Sequence, residues 1–201
     1  MLKNGFSVVF DLGGVLFDWD PMKLLARRYS NPAQRELLYE SVFRHPDWQD
    51  LDRGTLDENT AIERFQARTN FPRAEIAALM QAVRESLTPL EESWILLNEL
   101  KRLGVPLYCL SNIATPTFAY LQSRYPRWEA FDGIVISAAI RMMKPDREIY
   151  DHMLQRFALV PDRTVFIDDH EPNVIGARSA GIHAIQFTNA EDCRKQLAAL
   201  G

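Results

Sequence analysis

The sequence predicts an α/β fold: a parallel sheet of about five strands with helices on both faces, plus an inserted α-helical block. Three observations predict it. Five short apolar segments, near residues 6–11, 105–110, 133–137, 164–168 and 184–187, have the length and continuous apolar character of strands buried on both sides. Helical patterns alternate with the later segments, which argues for right-handed βαβ crossovers. The stretch from about residue 17 to 88 contains no convincing strand and reads as helix throughout.

Each element has a local reason. The first strand, Val8-Val9-Phe10, stops at Asp11 and leaves by a tight turn, Leu12-Gly13-Gly14. Helices are expected at 21–29, 32–44, 57–69 and 73–86. Asp20-Pro21 supplies an N-cap and a first-turn proline, and Leu56-Asp57-Glu58-Asn59 opens another helix with acids that suit the positive end of its dipole. The helix at 91–103 starts with Glu91 and Glu92 and stops at Gly104. Pro145 begins the helix at 145–158, and Pro172 begins the one at 172–180, which ends before Gly181. A charged C-terminal helix carries Cys193. The division expected is a core of residues 1–16 and 89–201 and an inserted helical cap of residues 17–88. Rooted just after Asp11, the insertion would hang over the carboxyl ends of the strands as a lid.

Composition narrows the function. The chain has 201 residues, 47% hydrophobic and 25% charged, which is ordinary for a soluble globular protein of one domain or one domain with an insertion. A formal charge of −4 gives no reason to expect a nucleic-acid partner. No apolar run is long enough for a bilayer, and Met1-Leu2-Lys3-Asn4-Gly5 lacks the apolar region of a signal peptide, so no membrane association and a cytoplasmic location are expected. Two cysteines make no disulfide framework, and Cys109, inside an apolar strand, reads as an inert core thiol. The four histidines show no metal-ligand spacing.

Chemistry concentrates at the strand ends. In open α/β sheets, ligands gather at the carboxyl ends of the strands. Asp11, Ser111-Asn112, Lys144 and Asp168-Asp169 all fall at or just beyond such ends. Asp11, Asp168 and Asp169 together would repel and raise one another's pKa values. A hard cation removes the conflict, and Mg²⁺ favours carboxylate oxygens, water and substrate phosphate. Lys144 and Ser111 suit the remaining phosphate oxygens, one by charge and one by hydrogen bond. A free Asp11 oxygen could then attack phosphorus, since carboxylate nucleophiles forming acyl phosphates are established chemistry.

With these residues on the page, the chain resembles the haloacid dehalogenase superfamily. The matching pieces are Val-Phe-Asp11-Leu-Gly-Gly-Val-Leu, Leu-Ser111-Asn112, Met-Lys144-Pro145-Asp146-Arg-Glu-Ile-Tyr150, and Phe-Ile-Asp168-Asp169-His-Glu-Pro-Asn173-Val-Ile-Gly176-Ala177, in family order. The resemblance implies a Rossmann-like core with a helical cap inserted after the first strand. It implies a Mg²⁺-dependent phosphatase of a small phosphorylated metabolite, acting as a monomer or homodimer. It makes Asp11 the nucleophile, Ser111 and Lys144 phosphate binders, and Asp11, Asp168 and the Gly13 carbonyl metal ligands; Asp169 is read as a further metal residue, direct or through water, or as a cap of its loop. Asn112 and Asp18 join Ser111 and Lys144 as candidate substrate contacts, with Asn112 also read as a buttress of its loop and Asn173 as an orienter of the Asp168 loop. Strict haloacid dehalogenases use the same aspartate without metal, but their fourth-strand motif does not end in a plain acid pair. Phe166-Ile167-Asp168-Asp169 therefore favours phosphate chemistry.

One position departs from the pattern. Most phosphatases of this superfamily carry a second aspartate, the general acid, where this chain has Gly13. A missing positioned acid costs about 10²–10⁴ in rate. Three readings follow: a leaving group that needs little help, a substitute acid such as Asp18 or a cap residue, or a catalytically weak binding or regulatory relative. The branch of α-glucose-1-phosphatase-like enzymes looks similar in its Asp-Leu-Gly, in Asp18-Trp19-Asp20 and in Asp52-Arg53-Gly54-Thr55-Leu56-Asp57-Glu58, which makes a sugar 1-phosphate the expected substrate. Trp19, Trp48 and Phe43 read as cap packing before pocket lining.

Overall fold

The structure, a computed structural model, describes residues 5–200. Residues 1–4, the start of the segment in which no leader is expected, lie outside the described residues, as does residue 201. Five parallel strands form one sheet: β1 (Ser7–Phe10), β2 (Leu107–Ser111), β3 (Gly133–Ile136), β4 (Thr164–Asp168) and β5 (His183–Gln186). Their spatial order is β3-β2-β1-β4-β5. The chain runs outward from β1 in one direction, then returns to lay β4 on its other side. The order reverses between β1 and β4, which is where doubly wound sheets open a crevice for ligands.

Alternation along the strands divides the core. Val8 and Phe10 point to one face with Leu107, Cys109, Val165 and Ile167. There they meet α6 (Glu91–Arg102) and α11 (Ala190–Leu200) through Leu97, Leu100, Cys193 and Leu197. Val9 points to the other face with Leu110 and Phe166, against α9 (Arg147–Arg156) and α10 (Glu171–Ser179) through Ile149, Tyr150, Met153 and Ala177. Burial on both sides is why these strands read as unbroken apolar runs. Cys109 is fully buried, and desolvation raises its thiol pKa, so it is a core residue as expected.

Between β1 and α6 the chain is helical: α1 (Pro21–Arg28), α2 (Pro32–Leu38) continuing as a π-helical turn (Tyr39–Phe43), α3 (Pro46–Arg53), α4 (Glu58–Thr69) and α5 (Arg73–Ser86). These helices bury their own apolar cluster, including Leu25, Leu38, Val42, Phe65, Ile76 and Leu79. Asp20 caps α1 by accepting the Lys23 N–H at 2.9 Å, and Asp57 caps α4 by accepting the Thr60 N–H at 3.0 Å. Sequence patterning missed α3, as well as α7 (Thr115–Arg124) and the single turn α8 (Ser137–Ile140) that follows β3 without a break. α3 matters most, because its C-terminal end packs on α8. Gly54, at φ +75°, lies so close to the Ala138 backbone that a Cβ would overlap it.

Candidate active site

The sheet sets the site by register. β1 pairs with β4 so that Phe10 faces Ile167, and the next residues, Asp11 and Asp168, stand side by side at the strand ends. The Asp11 N–H donates to the Ile167 carbonyl at 2.9 Å. β2, on the other side of β1, ends at Ser111, which is buried. Three strand ends thus carry three of the expected residues to one edge.

Lys144 reaches the same edge from the loop before α9. Its ammonium is fully buried, 2.8 Å from Asp11 Oδ1 and 2.6 Å from Asp168 Oδ2. The Phe166 ring lies beneath it, 5.2 Å from Nζ to the centroid, and adds a cation–π contact. Asn112 fixes the backbone of this lysine from both sides. Its Oδ1 accepts the Lys144 N–H and its Nδ2 donates to the Lys144 carbonyl, each at 2.9 Å. Both ends of the amide are therefore engaged by the Lys144 backbone, and Asn112 positions that lysine.

Asp168 is held on every side. Its Oδ1 accepts the His170 N–H at 2.8 Å, and Asn173 Nδ2 donates to both carboxylate oxygens at 3.1 and 3.0 Å. The Asn173 carbonyl in turn accepts the Tyr150 hydroxyl at 2.7 Å. Burial pushes the Asp11 carboxyl up to about 7; Lys144 pulls against this and Asp168 adds to it. Burial also lowers the Lys144 pKa, yet Asp11 and Asp168 outweigh it and leave the ammonium above its ordinary value. Burial, then Asp168, raises Asp169.

Asp11, Asp168 and Asp169 each offer a carboxylate oxygen within 4.8 Å of the others. An all-oxygen set of desolvated, mutually repelling carboxylates fits a hard divalent cation such as Mg²⁺. Gly14 makes the approach possible. It sits at φ +72°, and a Cβ there would overlap the Asp169 carboxylate.

A cavity opens beside this edge, between the sheet and the helical insertion. Leu12, Gly13, Ser111 and Asn112 form its floor. Trp19, Trp48, Met80, Val83 and Leu87 form much of the opposite wall. Trp19 and Trp48 stack at 5.9 Å with 16° between their planes, so these two rings both pack and line the cavity, whereas Phe43 packs behind Trp48 at 4.8 Å. Asp18 is not among the lining residues. Its carboxylate pairs with Lys23 Nζ at 2.5 Å, and the structure does not bring it into the cavity lining with Gly13 and Ser111. One charged side chain in the lining carried no site role in the sequence reading, where it only opened a cap motif: Asp52, at the end of α3. No described helix is long and apolar enough to cross a membrane.

A family model described as haloacid dehalogenase-like hydrolase matches residues 7–181. The chain is 32% identical over 184 residues to a sesquiterpene phosphatase of Aspergillus oryzae, an alignment that covers 92% of this chain and 90% of that one. It is 30% identical over 195 residues to drimenol cyclase of Aspergillus calidoustus, covering 95% of this chain but 35% of that longer protein. Among solved structures, a HAD family enzyme of Bacteroides thetaiotaomicron superposes with a TM-score of 0.77 at 20% identity, covering 96% of this chain and 98% of the other, which is a likeness of fold.

Proposed function

The chain belongs to the haloacid dehalogenase-like hydrolases, and from that premise we propose that it is a Mg²⁺-dependent phosphatase acting through an aspartyl phosphate on Asp11. One observation carries the reading: a buried lysine held between the strand-end carboxylates of Asp11 and Asp168, with Asp169 completing an oxygen-donor set. Asp11, Asp168, Asp169 and the Gly13 carbonyl would hold Mg²⁺, which when bound neutralises charge on the phosphoryl oxygens. Lys144, kept in place by Asn112, takes a further phosphoryl oxygen, and the Ser111 hydroxyl donates to another. Asp11 attacks phosphorus in line as the ester bond breaks, and water then releases phosphate from Asp11. In this reading residues 17–88 act as a cap on a core of residues 1–16 and 89–201. The separate apolar cluster of the inserted helices supports that division, as does a cavity walled from both sides.

The alcohol portion of the substrate is apolar in this proposal. The cap-side wall is made of Trp19, Trp48, Met80, Val83 and Leu87, which offer a sugar few hydrogen-bond partners. A sugar 1-phosphate, expected from Gly13, is thus the weaker candidate. The name of the Aspergillus oryzae relative, a sesquiterpene phosphatase, supports an apolar alcohol.

The test is phosphate release from 4-nitrophenyl phosphate, an apolar alkyl phosphate and a sugar 1-phosphate, with and without Mg²⁺, and with Asp11→Asn as control. Metal-dependent release that vanishes in Asp11→Asn is expected, with the apolar ester preferred over the sugar. Release without metal, or release that survives Asp11→Asn, overturns the proposal. Metal-free halide release from a 2-haloacid would assign the chain to dehalogenation instead.

A further inference from the structure

We propose that Asp52, carried by α3 of the helical insertion, is the proton donor to the leaving oxygen, supplying from the cap side what Gly13 cannot supply from the core. The inference rests on the phosphatase reading above. An alkyl phosphate leaves as a basic alkoxide, so an apolar substrate makes a proton donor more necessary. Among the described residues, Asp52 is the one acid that shares the cavity lining with Gly13 and Ser111.

Its placement is fixed by contacts to the core. Asp52 Oδ1 accepts the Ala114 N–H at 3.1 Å, in the loop that begins with Ser111 and Asn112. Its main-chain carbonyl accepts the hydroxyl of Ser137, and that hydroxyl accepts the Ile113 N–H at 2.9 Å. Gly54, two residues on, presses against the Ala138 backbone. The end of α3 is thereby tied to the loop after β2 and to α8, and the carboxyl group is held at the cavity wall. A Cβ at Gly13 would stand in ordinary van der Waals contact with Trp19, 3.5 Å from its Cβ and 3.6 Å from its Cγ. Position 13 thus faces Trp19, which lines the same cavity as Asp52.

The surroundings also suit an acid. Burial pushes the Asp52 carboxyl up to about 8, with the charge of Asp11 adding to the rise and the Ala114 N–H and the Trp48 side chain opposing it. Arg53, the adjacent cation, is turned away and pairs with Asp146 at 3.2 Å. Trp48, Ala114 and Ser137 carry no charge, so Asp11 is the charged group set against Asp52.

The proton inventory closes. As an Asp11 oxygen bonds to phosphorus, the ester P–O bond breaks and its electron pair goes to the ester oxygen. That oxygen takes the Asp52 proton and departs as the alcohol. In the return half, the Asp52 carboxylate takes a proton from water as the water oxygen bonds to phosphorus. The Asp11–phosphorus bond breaks, phosphate leaves, and both carboxyl groups return to their starting states.

The experiment compares wild type, Asp52→Asn and Asp52→Glu on 4-nitrophenyl, phenyl and octyl phosphate with Mg²⁺, following the first turnover for each. In Asp52→Asn the octyl ester should lose about 10²–10⁴ in rate. The 4-nitrophenyl ester, whose phenolate leaves more readily, should lose at least tenfold less than that. Asp52→Glu should recover part of the octyl rate, a result that a purely structural role would not give. Equal losses on all three esters, or an octyl rate unaffected in Asp52→Asn, overturn the assignment while leaving the phosphatase reading intact. A wild-type protein that cleaves none of the three overturns the phosphatase reading and this inference with it.

Discussion

Lys144→Met removes the buried cation from between two carboxylates and preserves the length and apolar stem of the side chain. Lys144 and Asp168 side chains are wholly buried, and that of Asp11 is 11% exposed, so water cannot replace the lost charge. Breaking a buried ion pair from one side costs about 3–5 kcal/mol, because the partner is left charged and unpaired. The low end applies here. Asp168 keeps its bonds from His170 and Asn173, and Asp11 Oδ1 still accepts the Leu12 N–H at 2.7 Å. For a chain of this length, about 3 kcal/mol corresponds to a fall in Tm of roughly 6–12 °C. A divalent cation on the same carboxylates would offset much of the loss, so Mg²⁺ should raise the Tm of the variant by more than that of wild type. The assay is thermal unfolding of both proteins, in chelator and then in saturating Mg²⁺. A fall of less than about 2 °C in chelator would show that the two carboxylates do not depend on Lys144. Equal Mg²⁺ shifts in the two proteins would show that cation and lysine do not share them.

Three further outcomes follow from the same geometry. Gly14→Ala puts a Cβ where the Asp169 carboxylate lies and asks alanine to hold φ +72°, so Mg²⁺ affinity should drop by tenfold or more with about 1–2 kcal/mol of backbone strain; a Mg²⁺ titration followed by thermal shift reads both, and an unchanged affinity counts against Asp169 as a ligand. Gly54→Ala lifts the end of α3 from Ala138, so it should slow cleavage of alkyl esters more than of aryl esters, which a two-substrate rate comparison checks. Asp52→Asn should become more stable than wild type as pH rises. The folded carboxyl titrates near 8 against an ordinary value of 3.8, so the folded state binds the extra proton and wild-type stability falls between those values. Melts from pH 5 to pH 9 should show the gap widening in favour of the variant, whereas a constant gap would mean an ordinary carboxyl.

What the sequence disclosed depended on how far each signal reaches along the chain. The five strands were legible because burial on both faces writes a continuous apolar run, and their ends carried Asp11, Ser111 and Asp168 to one edge. Lys144 was legible as a residue type in a motif, but its partners were not, since β4 is 24 residues away in the chain and meets it only after the crossover folds. The pairing of Asp18 with Lys23 was not legible, because nothing local distinguishes Asp18 from its neighbour Asp20, which is a true helix cap. The helix that bears Asp52 was missed because it has eight residues and buries Leu51 as its main apolar anchor. Its signals were present: His45 before Pro46 as a cap and first turn, and Gly54 at the left-handed end. Two punctuation marks eight residues apart describe a helix as readily as a loop, and only the contact with Ala138 and Ser137 distinguishes them.

An acid on the cap differs from an acid at position 13 in what it depends on. Asp11, Lys144 and Asp168 belong to the sheet edge and are bonded to one another there. Asp52 reaches the cavity through Ala114, Ser137 and Ala138, all contacts between α3 and the core loops. In the proposed mechanism the nucleophile depends on the sheet edge alone, while the proton is in place only when α3 is docked. On that proposal, transfer to Asp11 from a basic leaving group would require α3 to be docked, with the apolar walls of the cavity limiting water beside it. Gly13 thus reads as one half of a substitution whose other half lies 39 residues further along the chain, on a helix that must fold against the core before it can act.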